Sequence, residues 1–206
     1  MDLSIATLTL LLSSPLLLVI AIAIRVASGR PVLFRQWRTG QYGREFKLLK
    51  FRTMTVQPSD AKLGVTRAGD PRITKIGTWL RKWKLDELPQ LVNVLRGEMS
   101  LVGPRPDLNS FWQQAAAESR EALALIPGLT GAASITFHNE EHLLAQIPPE
   151  QLASFYAAKL LPIKARIDLD YAAQATLVSD CGLLLRTLII PLQPNRCRTL
   201  HEQLSR

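Results

Sequence analysis

The stretch KLDELPQLVNVLRGEMSLVGPRP (residues 84–106) contains an adjacent acidic pair, Asp86 and Glu87, and Pro89 follows two residues after the pair. Because proline lacks an N–H and has a fixed φ, a helix tolerates it only in the first turn. If residues 88–95 are helical, the pair lies at or just before a helix N-terminus, where the helix dipole favours carboxylates and bound anions. A plainer interpretation is that Asp86 caps the helix and Glu87 is a solvated charge.

Basic residues flank the acidic pair on both sides. Arg81 and Lys84 precede it, and Arg105 lies downstream between two prolines. Arginine binds phosphate oxygens through parallel hydrogen bonds, and neighbouring carboxylates can share one metal ion. The whole stretch therefore suits phosphate chemistry.

The charge of the chain is unevenly distributed. Its 206 residues allow one domain with a real core, and the formal net charge is +8. Residues 25–84 hold 15 Lys/Arg against 3 Asp/Glu, which indicates a polyanionic partner: nucleic acid, an anionic membrane surface or a phosphorylated substrate. Cys181 and Cys197 lack metal-ligand spacing, and we interpret them as reduced residues of a cytosolic compartment.

Residues 3–24 form an apolar run without a charged side chain. As a helix this run would span roughly 33 Å, enough to cross a bilayer. It lacks the basic start and the small-residue cleavage site of a signal peptide. Pro15 in its middle removes one helical hydrogen bond, and the hydroxyls of Ser13 and Ser14 can bond the freed carbonyls. The residues leave open whether the run crosses straight or bends into a re-entrant hairpin.

The segment after the apolar run is rich in basic residues and carries the patterns of a β-hairpin and of an amphipathic helix. The four arginines between Arg25 and Arg38 indicate the cytoplasmic side of a membrane. Residues 32–36 and 45–51 flank the turn-rich sequence TGQYG and predict a small basic β-hairpin. Residues 72–84 combine an apolar stripe, two tryptophans and five basic residues, a pattern typical of an amphipathic helix in the membrane interface. A basic surface helix packed on the core is the alternative.

The rest of the chain is predicted to be mainly helical, which gives a predominantly helical α+β fold. We expect a loop at 57–71, a polar helix at 107–122, and helices at 149–160, 162–177 and 180–190, with breaks near Pro162 and Ser179. His138 and His142 have helical spacing but no third ligand, so we assign no zinc site. Phosphate-loop and dinucleotide-binding motifs are absent from the sequence.

Together these motifs resemble the bacterial sugar transferases, or monotopic phosphoglycosyl transferases, over nearly the whole chain. The resemblance rests on Ser14-Pro15, PVLFRQ (31–36), KFRTM (50–54), GDPRITKIGTWLRK (69–82), LDELPQLVNVLRGEMSLVGPRP (85–106), PGLTG (127–131) and a looser tail of Asp168, Tyr171 and Asp180. It implies transfer of a sugar 1-phosphate from a UDP-sugar to polyprenyl (undecaprenyl) phosphate, the first membrane step of bacterial glycoconjugate assembly. It also implies a re-entrant membrane helix at 1–28, bent at Ser14-Pro15, and a catalytic domain at 29–206 on the cytoplasmic face of the inner membrane.

The resemblance also implies roles for individual residues. Asp86 is the nucleophile that forms a covalent phosphosugar intermediate and releases UMP, and Glu87 completes the catalytic pair. Both carboxylates are the expected ligands of Mg²⁺, which shields the diphosphate charge. The remaining substrate-binding candidates are Arg81 and Arg105 for phosphate oxygens, Lys50 and Arg52 for the lipid phosphate or headgroups, and Asp168 for the nucleotide sugar.

Departures from the family pattern leave the sugar open. Ile126 and Ser134 replace an arginine and a glutamine found in many members, and a longer segment, 138–161, replaces a shorter loop. A membrane-anchored nucleic-acid binder would leave the acidic pair without a role and has no stacking motif, so we expect no nucleic-acid partner. A non-catalytic scaffold would keep its function when Asp86 is lost. The pathway and a homodimeric state are also left open.

Overall fold

The computed structural model describes residues 1–55 and 65–192, so most of the predicted loop at 57–71 and Cys197 lie outside the described residues. Helix α1 (Asp2–Ser28) precedes an antiparallel pair of strands, β1 (Leu33–Thr39) and β2 (Glu45–Phe51). A parallel pair joins β3 (Ser100–Val102) to β4 (Gly128–Thr130). Further helices are α2 (Lys75–Lys82), α3 (Leu91–Leu95), α4 (Asn109–Gln114), α5 (Ala132–Thr136), α6 (Glu140–Leu144), α7 (Leu152–Phe155), α8 (Leu161–Ala172) and α9 (Leu177–Ile189). The described fold is therefore predominantly helical, as the sequence predicted, and has two small sheets, of which the sequence predicted only the antiparallel pair.

Helix α1 is long and apolar enough to cross a membrane by length and composition. Its middle is largely exposed, whereas Ala6 near its start and Ile24 near its end are fully buried. Pro15 lies inside the helix. The Ser14 hydroxyl donates to the Leu11 carbonyl at 2.8 Å, the acceptor that the missing proline N–H leaves unpaired. The serine therefore satisfies the backbone as predicted.

Polar contacts hold both ends of α1 against the rest of the chain. The Asp2 carboxylate accepts a hydrogen bond from the Ser100 hydroxyl in β3 at 2.6 Å. At the other end, the Arg52 guanidinium donates to the carbonyl oxygens of residues 28–30. Both ends of the apolar helix therefore contact one folded unit, while its middle remains exposed.

The β1–β2 pair has two different faces, because cross-strand partners project to the same side. Arg38 is opposite Phe46 and Phe34 is opposite Lys50. On this inner face, Phe46 packs in a cluster with Leu91 of α3. The register places Trp37 opposite Lys47 on the outer face.

Helix boundaries differ from the prediction in the second half of the chain. The polar helix predicted at 107–122 is wrong, because α4 ends at Gln114 and a separate 3₁₀ segment, Ala117–Ala124, follows. Trp112 is buried in the core. The Arg120 guanidinium donates to the carbonyls of Trp112 and Gln113. These bonds satisfy the end of α4 and fix the break.

One of the two predicted helix breaks is also wrong. The chain stays helical through Pro162, which lies in the first turn of α8 after a π-helical turn, Tyr156–Leu160. Proline is tolerated in a first turn, and the wider preceding turn accommodates its missing N–H. The break predicted near Ser179 lies slightly earlier, at residues 173–176 between α8 and α9, and Ser179 itself forms a reciprocal capping box with Thr176 at the start of α9.

Candidate active site

The acidic pair lies in the first turn of a 3₁₀ helix, Leu85–Gln90. Helix α2 ends at Lys82, and the chain reverses through Lys84, which has a left-handed φ of 56°. Pro89 lies inside this short helix, which continues into α3. The predicted position at a helix start is therefore confirmed, with a 3₁₀ segment in place of the expected first α-helical turn.

The two carboxylates of the pair have different surroundings. Glu87 Oε1 accepts a hydrogen bond from Arg105 Nη2 at 2.7 Å. Burial raises the pKa of Glu87, but the charges of Arg105 and Lys84 outweigh it and lower that pKa to about 2. Asp86 is only 5% exposed, and no hydrogen bond to its carboxylate is found within 1–55 and 65–192. Burial first and the Glu87 charge second raise the pKa of Asp86.

The predicted cations Lys50 and Arg81 lie close enough to Asp86 to favour its charged form electrostatically. The pKa of Lys50 falls to about 8, foremost because of burial and then because of Arg81, while Asp86 opposes the fall. Arg105 and Arg38 also lower the pKa of Lys50, so the four cations share one electrostatic neighbourhood. This cluster can hold an anion next to a carboxylate that has no other hydrogen-bond partner in the described chain.

The Arg81 guanidinium is fixed by three side chains. Its Nε donates to Thr53 Oγ1 at 3.1 Å and its Nη2 to Thr66 Oγ1 at 3.3 Å. Its Nη1 donates to Glu141 Oε1 at 2.7 Å. Glu141 begins the short helix α6 with Glu140, within the segment 138–161 that the sequence left without a role. This segment therefore reaches the candidate site.

Arg52, predicted to bind a lipid phosphate or headgroups, lies in a different environment. It is buried, and its guanidinium donates to three carbonyls at the end of α1. Lys50 and Arg52 are near neighbours in sequence, yet Lys50 joins the acidic pair and Arg52 holds the apolar helix. These contacts indicate a structural role for Arg52.

A second polar network lies buried beneath α6. The Tyr156 hydroxyl donates to Asp107 Oδ1 at 2.9 Å, and Lys164 Nζ donates to the same hydroxyl and to Glu140 Oε2, both at 2.8 Å. Burial alone lowers the pKa of Lys164, but Glu140 and its other neighbours raise it above the usual range. Sequence reasoning missed this network. The available signal was a lysine within the apolar run of α8.

Asp168 lies close enough to Lys164 and Asp107 of this network to interact with them electrostatically. Its Oδ1 accepts a hydrogen bond from the N–H of Ala133 at the start of α5, at 2.9 Å. Burial raises the pKa of Asp168 to about 6, while this hydrogen bond and Lys164 oppose the rise. A Cβ at Gly131, 3.4 Å from Asp168 Oδ1, would also clash with the Gly103 carbonyl oxygen at 2.2 Å, so the close approach beside Asp168 requires glycine.

The chain belongs to the bacterial sugar transferase family, because the model of that family matches residues 1–194. It is 37% identical over 191 residues to the UDP-glucose:undecaprenyl-phosphate glucose-1-phosphate transferase of Caulobacter vibrioides, covering 91% of this chain and 67% of the relative. It is 34% identical over 194 residues to the exopolysaccharide production protein PSS of Rhizobium leguminosarum bv. phaseoli, covering 89% and 88%. The UDP-glucose:undecaprenyl-phosphate glucose-1-phosphate transferase of Escherichia coli is 45% identical over 137 residues, covering 65% of this chain and only 30% of that relative.

Proposed function

We propose that the chain transfers a sugar 1-phosphate from a UDP-sugar to undecaprenyl phosphate and releases UMP. The observation that carries this proposal is the buried Asp86–Glu87 pair. Glu87 forms an ion pair with Arg105, whereas Asp86 has no hydrogen-bond partner among the described residues. Relatives named as UDP-glucose and UDP-N-acetylgalactosamine transferases acting on undecaprenyl phosphate support the same reaction.

The first step is attack of an Asp86 carboxylate oxygen on the phosphorus that carries the sugar. A new oxygen–phosphorus bond forms, and the bond from that phosphorus to the bridging oxygen breaks, so that UMP leaves with the electron pair. In the second step a phosphate oxygen of the lipid attacks the same phosphorus and regenerates the carboxylate. Lys50 and Arg81 favour the ionised Asp86 that this route requires, and Arg105 can hold phosphate oxygens beside it.

The acidic pair also fits a Mg²⁺ ion. Mg²⁺ takes oxygen ligands and often uses one or two protein carboxylates together with substrate phosphates. Asp86 and the second oxygen of Glu87 would hold it, since Arg105 engages only Oε1 of Glu87. When bound, the ion supplies shielding of the diphosphate charge. Among the described residues no group of three or more His, Cys, Asp or Glu side chains forms a fuller metal site.

We further infer that α1 enters and leaves the bilayer on one face. Its two ends contact the same folded unit through Asp2 and Arg52, its exposed middle is apolar, and Pro15 lies at that middle. A bend there gives a re-entrant hairpin at 1–28, with residues 29–206 on the cytoplasmic face of a bacterial inner membrane. The half-exposed Trp79 and Trp83 of the α2 region suit the membrane interface.

A UMP-release assay tests the proposed reaction. The purified full chain is incubated with undecaprenyl phosphate and each of several UDP-sugars, with Asp86→Asn as the matched inactive control. We expect UMP release with at least one UDP-sugar that depends on the lipid for multiple turnovers and is abolished in the control. Release no greater than that of Asp86→Asn with every UDP-sugar contradicts the proposal.

A further inference from the structure

Arg38 lies close enough to Lys50 and Arg105 of the candidate site to interact with them electrostatically, although the sequence indicated only a basic residue near a membrane. It lies on the inner face of the β1–β2 pair, opposite the buried Phe46. The N–H of the next residue, Thr39, donates to the Asp107 carbonyl at 2.9 Å. This bond fixes the end of β1 against the segment that carries Arg105.

The Arg38 guanidinium is incompletely satisfied by the described chain. Its Nη2 donates to the neutral Gln36 Oε1 at 2.8 Å. Its Nε is buried without a hydrogen-bond partner, and within residues 1–55 and 65–192 no carboxylate lies within 4.0 Å of the guanidinium. An unpaired buried donor on a charged group costs stability. The protein thus retains a cation that no carboxylate of the described residues contacts directly.

The charges around Arg38 point to an anionic ligand. Arg105 and Lys50 both lie near enough to interact electrostatically with it. Asp107 and Glu140 attract Arg38 from beyond ion-pair distance, Asp107 more strongly than Arg105 repels it, and the hydrogen bonds of these two acids come from Tyr156 and Lys164. Like charges that converge around a carboxylate pair are stabilised by a bound anion.

We propose that Arg38 binds phosphate oxygens of a substrate, together with Arg105 and Lys50. This inference rests on the proposed function, because the phosphate is one that the proposed reaction brings to Asp86. Phosphate oxygens come from two sources there, the diphosphate of the UDP-sugar and the lipid phosphate. A guanidinium can donate parallel hydrogen bonds to phosphate oxygens, and the Arg38 nitrogens other than Nη2 have no partner among the described residues.

The test compares Arg38→Gln with Arg44→Gln, which removes the same charge from an exposed position beside the turn of the same hairpin. UDP affinity of the full chain is measured by calorimetry, and the KM for undecaprenyl phosphate is measured during turnover. For Arg38→Gln we expect either UDP affinity or the apparent affinity for the lipid to fall about tenfold or more. Weaker UDP binding assigns Arg38 to the nucleotide, and a raised KM for the lipid alone assigns it to the acceptor.

Thermal unfolding separates ligand binding from a structural role. Because Arg38→Gln removes an unpaired buried charge, we expect its unfolding midpoint to be no lower than that of the wild type. Arg38→Lys keeps the charge without the planar edge, so it should also lower the affinity for the same ligand. It replaces Arg38→Gln in the test if the glutamine variant does not fold. Unchanged UDP affinity and unchanged lipid KM overturn the inference, whatever the midpoint. If the wild type binds UDP and releases UMP while this result holds, only the role of Arg38 is overturned, whereas a wild type that does neither refutes the proposed function itself.

Discussion

Replacing Glu87 with glutamine removes the charge that Arg105 faces at 2.7 Å. Burial raises the pKa of Glu87, but Arg105 and Lys84 lower it from 4.5 to about 2. A difference of that size corresponds to about 3 kcal/mol of folding stability at neutral pH. Because 38% of the Arg105 side chain is exposed, solvent screening reduces this value, and we expect Glu87→Gln to lower the free energy of unfolding by about 1–2 kcal/mol.

The effect of this substitution depends on pH in a defined direction. A carboxyl whose pKa is lower in the folded state stabilises the fold above its unfolded pKa, and this contribution is lost as pH falls through the folded pKa. The difference in stability between wild type and Glu87→Gln is therefore full above pH 4.5 and shrinks toward zero near pH 2. Asp86 contributes in the opposite sense, because burial and the Glu87 charge raise its pKa. Glu87→Gln removes the second of these causes, so relief at Asp86 offsets part of the stability lost with the ion pair.

Urea unfolding followed by tryptophan fluorescence, in one detergent from about pH 7 to about pH 2, measures this difference. Glu150→Gln is the control, because Glu150 is exposed and forms no ion pair within the described residues. The control should match the wild type at each pH. A stability difference for Glu87→Gln that stays constant across the range, or that is absent at neutral pH, refutes the ion-pair reasoning.

Three further predictions follow from the same geometry. Arg105→Lys keeps the charge but loses the planar edge, so kcat/KM for the UDP-sugar should fall about tenfold or more, and a loss under about threefold in steady-state kinetics would make Arg105 structural. Glu141→Gln frees one nitrogen of Arg81, which Thr53 and Thr66 still orient. If Glu141 competes with the substrate for that nitrogen, the KM for the UDP-sugar should fall, by only about threefold because Glu141 is 47% exposed. A raised KM contradicts this competition. Cysteines placed at residues 3 and 28 should label from the cytoplasmic side, and periplasmic labelling of the first site excludes the hairpin.

Local patterns predicted much of the fold because their causes are local. The apolar run, the turn between the two basic strands and the proline after Glu87 each act within a few residues. Helix α1, the β1–β2 pair and the position of the acidic pair follow from them. The break expected at Pro162 failed because a preceding π-helical turn accommodates the proline. Periodicity in the sequence does not reveal such a turn.

The parts of the site that sequence did not predict depend on distant partners. Arg81 meets Glu141 across 60 positions, and Asp107 meets Tyr156 across 49. Charge and spacing cannot distinguish Lys50, which turns toward the acidic pair, from Arg52, which holds the end of α1. The direction of these side chains is fixed by tertiary packing. The catalytic roles of Asp86 and Glu87 themselves remain predictions.

The covalent role of Asp86 is tested most directly by the mass of the protein. Wild-type chain given a UDP-sugar without lipid acceptor should gain the mass of one sugar phosphate, on the peptide of residues 85–96, with an equal amount of UMP released. Asp86→Asn should gain none, because its neutral amide cannot form the acyl phosphate. An adduct on Asp86→Asn, or no adduct on a wild-type enzyme that turns over once lipid is added, contradicts the account and makes Asp86 a metal ligand in a direct transfer.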